Sequence, residues 1–158
     1  MEARRKDGNR ESKMTEIEIA YLAGIFDGEG YISIESPRSK TSACGRNIKL
    51  RIGIANTNLD LLQWIQSEFG GLIFDKHGPA HRRKCYDLQL KASGAEKFVR
   101  KVYPFLKIKK LQAEVALKFR ESFHHTDKRR ISDELVKERF QAKTDLMRLN
   151  KGDIINVN

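Results

Sequence analysis

The segment Leu22-Ala23-Gly24-Ile25-Phe26-Asp27-Gly28-Glu29-Gly30 closes a helix and leaves two acids at its C-terminal end. The helix starts upstream, where Thr15 and Glu18 have the spacing of a capping box, and Glu16 to Asp27 reads as one helix. Ala20, Gly24 and Gly28 recur every four residues, so small side chains line one side. Such a stripe lets a second helix backbone come close. A helix of the same chain could fill that place, but the sequence holds no second stripe of this kind, which favours a symmetric copy. Asp27 and Glu29 stand at the negative end of the helix dipole, where carboxylates are disfavoured. Two copies of Glu29 related by symmetry would also repel. A divalent cation between them would relieve both costs.

Downstream of the segment the period changes to two. Ile32 and Ile34 alternate with Tyr31, Ser33 and Glu35, which predicts a strand. Pro37, Ser39, Thr41, Ser42 and Gly45 predict a hairpin loop. The next strand alternates Ile48, Leu50, Ile52 and Ile54 with Asn47, Lys49, Arg51 and Gly53. A helix from about Leu59 to Phe69 carries Leu62, Ile65 and Phe69 on one stripe and stops at Gly70-Gly71. Leu72 to about Lys76 and Cys85 to Lys91 read as two more strands, joined by a basic loop. Helices are expected from near Ala95 to before Pro104, from Leu111 to about Phe123, and from Ser132 to about Leu149. Ser132 would cap the last, with Asp133 and Glu134 against its N-terminal dipole.

An antiparallel sheet with one apolar face packs it on helices and leaves the other free. The free face would carry Ser33, Glu35, Asn47, Lys49, Arg51, Asp87 and Gln89, side chains of the types that meet base edges and phosphates. A solvated sheet face gives the same pattern, so charge decides. The 158 residues include 31 Lys plus Arg and 21 Asp plus Glu, a formal net charge of +10. That excess favours an acidic partner, and basic runs at Arg38–Lys40 and Arg82–Lys84 point to nucleic acid. No helix pairs a basic face with exposed aromatics, so no membrane is expected. The polar, charged first 14 residues read as a disordered tail, and residues 15–158 as one domain. No apolar run reaches membrane-span length, and no signal peptide is read at the N-terminus. Cys44 and Cys85 are expected to be free thiols, and the protein intracellular, in cytoplasm or an organelle interior, rather than secreted. His77, His81, His124 and His125 lack a ligand spacing and read as surface residues.

LAGIFDGEG resembles the signature of the LAGLIDADG homing endonuclease family. Leu22, Ala23, Gly24, Asp27 and Gly30 are identical to it, and the other positions are conservative. The resemblance implies an α+β fold: an αββαββα core over residues 15–123, with a saddle-shaped antiparallel sheet, followed by C-terminal helices, the last at about 132–149. One motif copy implies the homodimeric subtype. The family implies a site-specific double-strand DNA endonuclease, often intron-encoded, that cuts a long pseudo-palindromic target and leaves short 3′ overhangs. Its substrate would be duplex DNA and no small molecule, and its cofactor Mg²⁺.

Position by position, Glu29 falls on the family's metal ligand, where most members have Asp, and the Gly28 carbonyl lies beside it. Lys109, within Pro104 to Ala113, falls on a lysine near the scissile phosphate. Asn56 falls where the family organises water at the end of the second strand. Ala20, Gly24, Asp27 and Gly28 would form the dimer interface, with Asp27 capping the partner helix or bonding locally. Ser33, Glu35, Asn47, Lys49, Arg51 and Asp87 would meet bases, while Arg38, Lys40, Arg82, Arg83 and Lys84 would meet phosphates. Glu35 and Asp87 stay open between accepting from cytosine N4 and pairing across strands with Lys49 or Arg51. Two rivals share the fold: an intron RNA maturase, and a DNA-binding regulator without catalysis. The acid at Glu29 and the lysine at Lys109 favour cleavage over either.

Overall fold

A computed structural model describes residues 14–42, 44–76, 84–124 and 131–152. Residues 1–13 of the expected tail, Arg82, Arg83, His77, His81 and His125 lie outside the described residues, while Met14, expected in the tail, is half-buried against the core. The element order is α1 (Glu16–Glu29), β1 (Gly30–Glu35), β2 (Lys49–Asn56), α2 (Leu59–Phe69), β3 (Leu72–Lys76), β4 (Cys85–Lys91) and α3 (Ala92–Val102). A 3-10 turn at Tyr103–Phe105, α4 (Lys110–His124) and α5 (Asp133–Asn150) follow. This is the expected αββαββα order with two further helices.

Local chemistry sets the boundaries. Thr15 and Glu18 form the reciprocal capping box, with Thr15 N–H donating to Glu18 Oε2 at 2.7 Å. Gly70 ends α2 at φ +75°, in a region where a Cβ is strained. Ser132 Oγ accepts from the Leu135 amide at 3.2 Å, which caps α5. One boundary differs from expectation. α3 starts at Ala92 rather than near Ala95, because Ala92 at φ +49° turns the chain directly out of β4.

The strands form one antiparallel sheet in the order β1-β2-β4-β3. Pairings Ile32↔Ile52↔Leu90 and Ile54↔Leu88↔Ile73 put the aliphatic side chains on one face. That face buries against Leu22 and Phe26 of α1, Leu62 and Ile65 of α2, and Phe98 of α3. Phe98 meets Phe26 at 4.9 Å and Phe69 at 5.1 Å between ring centroids, both edge to face. α5 packs on α4 and β1. Its Asn150 Nδ2 donates to the Ile32 carbonyl at 2.9 Å, and Lys143 Nζ to Ser36 Oγ at 2.5 Å. Arg139 of α5 is buried, with its guanidinium 3.6 Å from the Phe123 ring centroid and 2.9 Å from the Ser122 carbonyl. The opposite, more open face carries Ser33, Glu35, Lys49, Arg51 and Gln89, each half-buried.

Among the described residues no helix is long and apolar enough to cross a membrane. Both cysteines are free thiols, each half-buried.

Candidate functional site

Helix α1 divides by face. Ile19, Leu22, Ala23, Phe26 and Asp27 are buried in the chain's own core. Ala20, Gly24, Gly28 and Glu29 are exposed. A Cβ built at Gly24 or Gly28 would meet nothing within 4 Å, so the small-residue stripe opens outward. Ile17 and Tyr21 stand beside it at 82% and 59% exposure.

The two acids have separate environments. Asp27 is 8% exposed and faces inward. Its Oδ2 accepts from the Lys107 amide at 2.8 Å, and its Oδ1 from the Lys109 amide at 2.9 Å. Burial alone would raise its pKa. Hydrogen bonds from the amides of Lys107, Lys109 and Ile108, together with the Lys109 charge, outweigh that and hold the carboxyl below its ordinary value. The side chain therefore bonds locally, in this chain, and does not join the exposed stripe. The relief of this acid at the helix end comes from the loop before α4.

That loop delivers Lys109 to the same helix end. Lys109 Nζ donates to the Asp27 carbonyl, placing a positive charge at the negative pole of α1, which has no basic residue of its own in its last turn. Glu29 is exposed, two residues on. Its Oε2 accepts from Asn56 Nδ2, at the end of β2. Asn56 is itself held by the Asn58 amide, which donates to Asn56 Oδ1 at 2.8 Å. Glu29, Asn56 and Lys109 are separated by 27 and 53 positions in sequence, and the fold gathers all three at the end of α1. The sequence singles out Asp27 but not its partners, which are 80 and 82 residues away.

The open sheet face is organised in rows. Register aligns Glu35 with Lys49, Ser33 with Arg51 and Lys91, and Tyr31 with Gly53, Gln89 and Leu72. Glu35 bonds to Arg51 Nη1 and lies 4.0 Å from Lys49 Nζ, so it pairs across strands. Asp87 belongs to this face by register but is only 3% exposed. It accepts from Tyr31 Oη at 3.2 Å and from Gln89 Nε2 at 2.8 Å. Burial, reinforced by the Asp87 charge, pushes the Tyr31 hydroxyl above its ordinary pKa, with Arg51 opposing. Tyr31 reaches Asp87 by lying across β2 at Gly53. A Cβ at Gly53 would sit 2.1 Å from Tyr31 Cζ, so the glycine makes the crossing possible. Asn47 is exposed and precedes β2, with its amide donating to the Pro37 carbonyl at 2.9 Å. Arg38, Lys40 and Lys84 are exposed, and Arg38 forms an isolated bridge with Arg46.

Among the described residues no three or more His, Cys, Asp or Glu side chains gather as a metal-ligand group. One chain offers the Glu29 carboxylate and nearby backbone oxygen. Such a donor set suits a cation completed by a second carboxylate, phosphates and water.

This architecture is that of solved homing endonucleases. The I-CvuI homing endonuclease, in complex with an I-CreI target, superposes with a TM-score of 0.71 at 18% identity, over 89% of this chain and 87% of that one. The archaeal intron-encoded homing endonuclease I-Vdi141I, complexed with DNA, gives 0.70 at 17%, over 90% and 89%. The LAGLIDADG homing endonuclease I-LtrWI, bound to target DNA, gives 0.70 at 16%, over 89% of this chain but 47% of its own. By sequence alone no curated protein matches. The LAGLIDADG endonuclease family model matches residues 22–121. The chain belongs to the LAGLIDADG endonuclease family.

Proposed function

We propose that the protein is a site-specific DNA endonuclease that acts as a homodimer and needs a divalent cation. The observation that carries this reading is the meeting of Glu29, Asn56 and Lys109 at the exposed end of α1. The outward stripe of Ala20, Gly24 and Gly28 supports pairing with a second α1, which would bring two copies of Glu29 together. The match covers 87% of I-CvuI but 47% of I-LtrWI, as expected if two such chains do the work of one longer one.

Each chain would contribute Glu29 and the Gly28 carbonyl to the cation, with Mg²⁺ the best fit to hard oxygen donors and phosphates. When bound, the cation lowers the pKa of water and neutralises charge on the phosphodiester. The chain's own residues set up the rest. Asn56 fixes the Glu29 carboxylate and leaves its second oxygen free of that bond. Lys109, held at the helix end by Asp27, offers a positive charge for the phosphate as negative charge develops on it. Arg51, Lys49 and the basic loops hold duplex DNA against the sheet, with phosphate contacts supplying most of the affinity. Two symmetric half-sites imply a near-palindromic target and cuts in both strands, expected to leave short 3′ overhangs.

The test is a selection. A randomised duplex library is incubated with the protein in Mg²⁺ and in EDTA, and new ends are sequenced. Ends enriched at one near-palindromic site in Mg²⁺ alone are expected. Recovery of a bound sequence that is never cut would overturn the nuclease reading in favour of a regulator.

A further inference from the structure

The open sheet face is not uniformly polar. At two successive outward positions on β3 it carries Leu72 and Phe74, 61% and 43% exposed. Register sets Leu72 against Gln89, and Phe74 against Asp87, on the face that also holds Arg51 and Gly53. A shallow hollow opens beside them, lined in part by Leu72, Phe74, Gln89 and Lys91. Exposed cations bound the pair: Lys91 at one end of the strands, Lys76 and Lys84 at the other. Single exposed apolar residues are ordinary. Two in a row on an edge strand, with cations at both ends, need an occupant that is apolar in its middle and anionic at its borders.

The major groove of duplex DNA fits that description where it presents the 5-methyl groups of thymine between two phosphate backbones. We infer that Leu72 and Phe74 are specificity-determining residues that read thymine methyls, so the part of each half-site under β3 contains thymine. The inference rests on the DNA-binding reading above and deepens it. The sheet face is then split by chemistry. Arg51 and Lys49, steered by Glu35, offer hydrogen bonds on the β1–β2 side, and β3 offers an apolar surface on the other.

The test removes only the methyl. The duplex recovered by selection for binding is remade with deoxyuridine in place of thymine, one position at a time, and affinity is measured in EDTA, where no cutting occurs. At one or two positions in each half-site the loss of the methyl is expected to weaken binding about fourfold, the size of burying one carbon. L72S and F74S, whose side chains are exposed and whose folding circular dichroism can check, are expected to bind the thymine and deoxyuridine duplexes equally at those positions. Uniform indifference to deoxyuridine in a duplex that is otherwise bound specifically would overturn this inference alone. So would sensitivity that persists in both serine variants. Failure to recover any bound sequence would overturn the DNA reading and this inference with it. A dimer that L72S and F74S abolish without DNA would assign the strand to a second copy instead.

Discussion

On its inner face α1 presents Leu22, Ala23 and Phe26, all fully buried, and Asp27 with both carboxylate oxygens bonded inside the chain. On its outer face Ala20, Gly24, Gly28 and Glu29 are exposed, and the space beside both glycines is open. The same run of residues therefore does two kinds of work. The inner face holds one chain together, and its acid is neutralised by the chain's own amides and lysine. The outer face gains little from this chain's fold. Its small residues contribute little to the core, and Glu29 has one amide partner in Asn56 while standing at the unfavourable end of a dipole. Residues that do not serve the fold they belong to are the ones to assign to a partner and to chemistry.

The sharpest way to break the comparison is to change each acid in turn. Glu29→Gln should lower cleavage by about a thousandfold or more, the upper range for losing one preorganised electrostatic group. Its DNA affinity and thermal midpoint should stay near wild type, since an exposed substitution stays within about 0.5 kcal/mol. Gel cleavage assays and thermal unfolding read both. A Gly24→Leu change on the outer face should weaken dimerisation roughly a hundredfold, from about 1–3 kcal/mol of overpacking per copy. The isolated fold should tolerate it or gain up to about 0.8 kcal/mol of helix propensity. Sedimentation against denaturant unfolding separates the two effects.

On the inner face the pattern reverses. Asp27→Asn keeps the shape but cannot accept from two amides through both atoms, and should cost about 1–3 kcal/mol of stability by urea unfolding. The cost depends on pH. The folded carboxyl lies below its ordinary value of 3.8, so its contribution is complete above that value and is lost as pH falls through the lower folded one. The gap between wild type and Asp27→Asn should therefore narrow below about pH 3.8. Smallest is Lys49→Ala, which removes a half-exposed partner of Glu35. Stability should move by less than about 0.5 kcal/mol. The slope of log affinity against log salt should fall by about 0.9 if Lys49 meets a phosphate.

Local patterns carried most of the fold into the sequence. The capping box at Thr15 and Glu18, the alternation from Ile48 to Ile54 and the cap at Ser132 each act within a few residues, so a reader of the chain meets cause and effect together. The misses depend on contacts between distant residues. Nothing near Asp27 tells that amides 80 residues away will bond it. Nothing near Asp87 tells that Tyr31 will cross a strand to cover it, because the crossing needs the missing Cβ of Gly53. Even the start of α3 turns on one strained residue, Ala92, in a stretch of weak propensity. The motif named the end of α1 as the place to look, and the fold explains why Asn56 and Lys109 belong there with Glu29.

The central claim is that two outer faces together make one double-strand nuclease. Mixing tests it most directly. Wild type and Glu29→Gln chains are unfolded, combined in equal amounts, refolded together and assayed on the selected target for double-strand breaks. If each cut duplex needs Glu29 from both chains, only about a quarter of the random dimers remain competent, and double-strand activity should fall to that level with nicked product rising. Activity that falls in simple proportion to the wild-type fraction, to half, would mean that each chain cuts alone and would contradict the account.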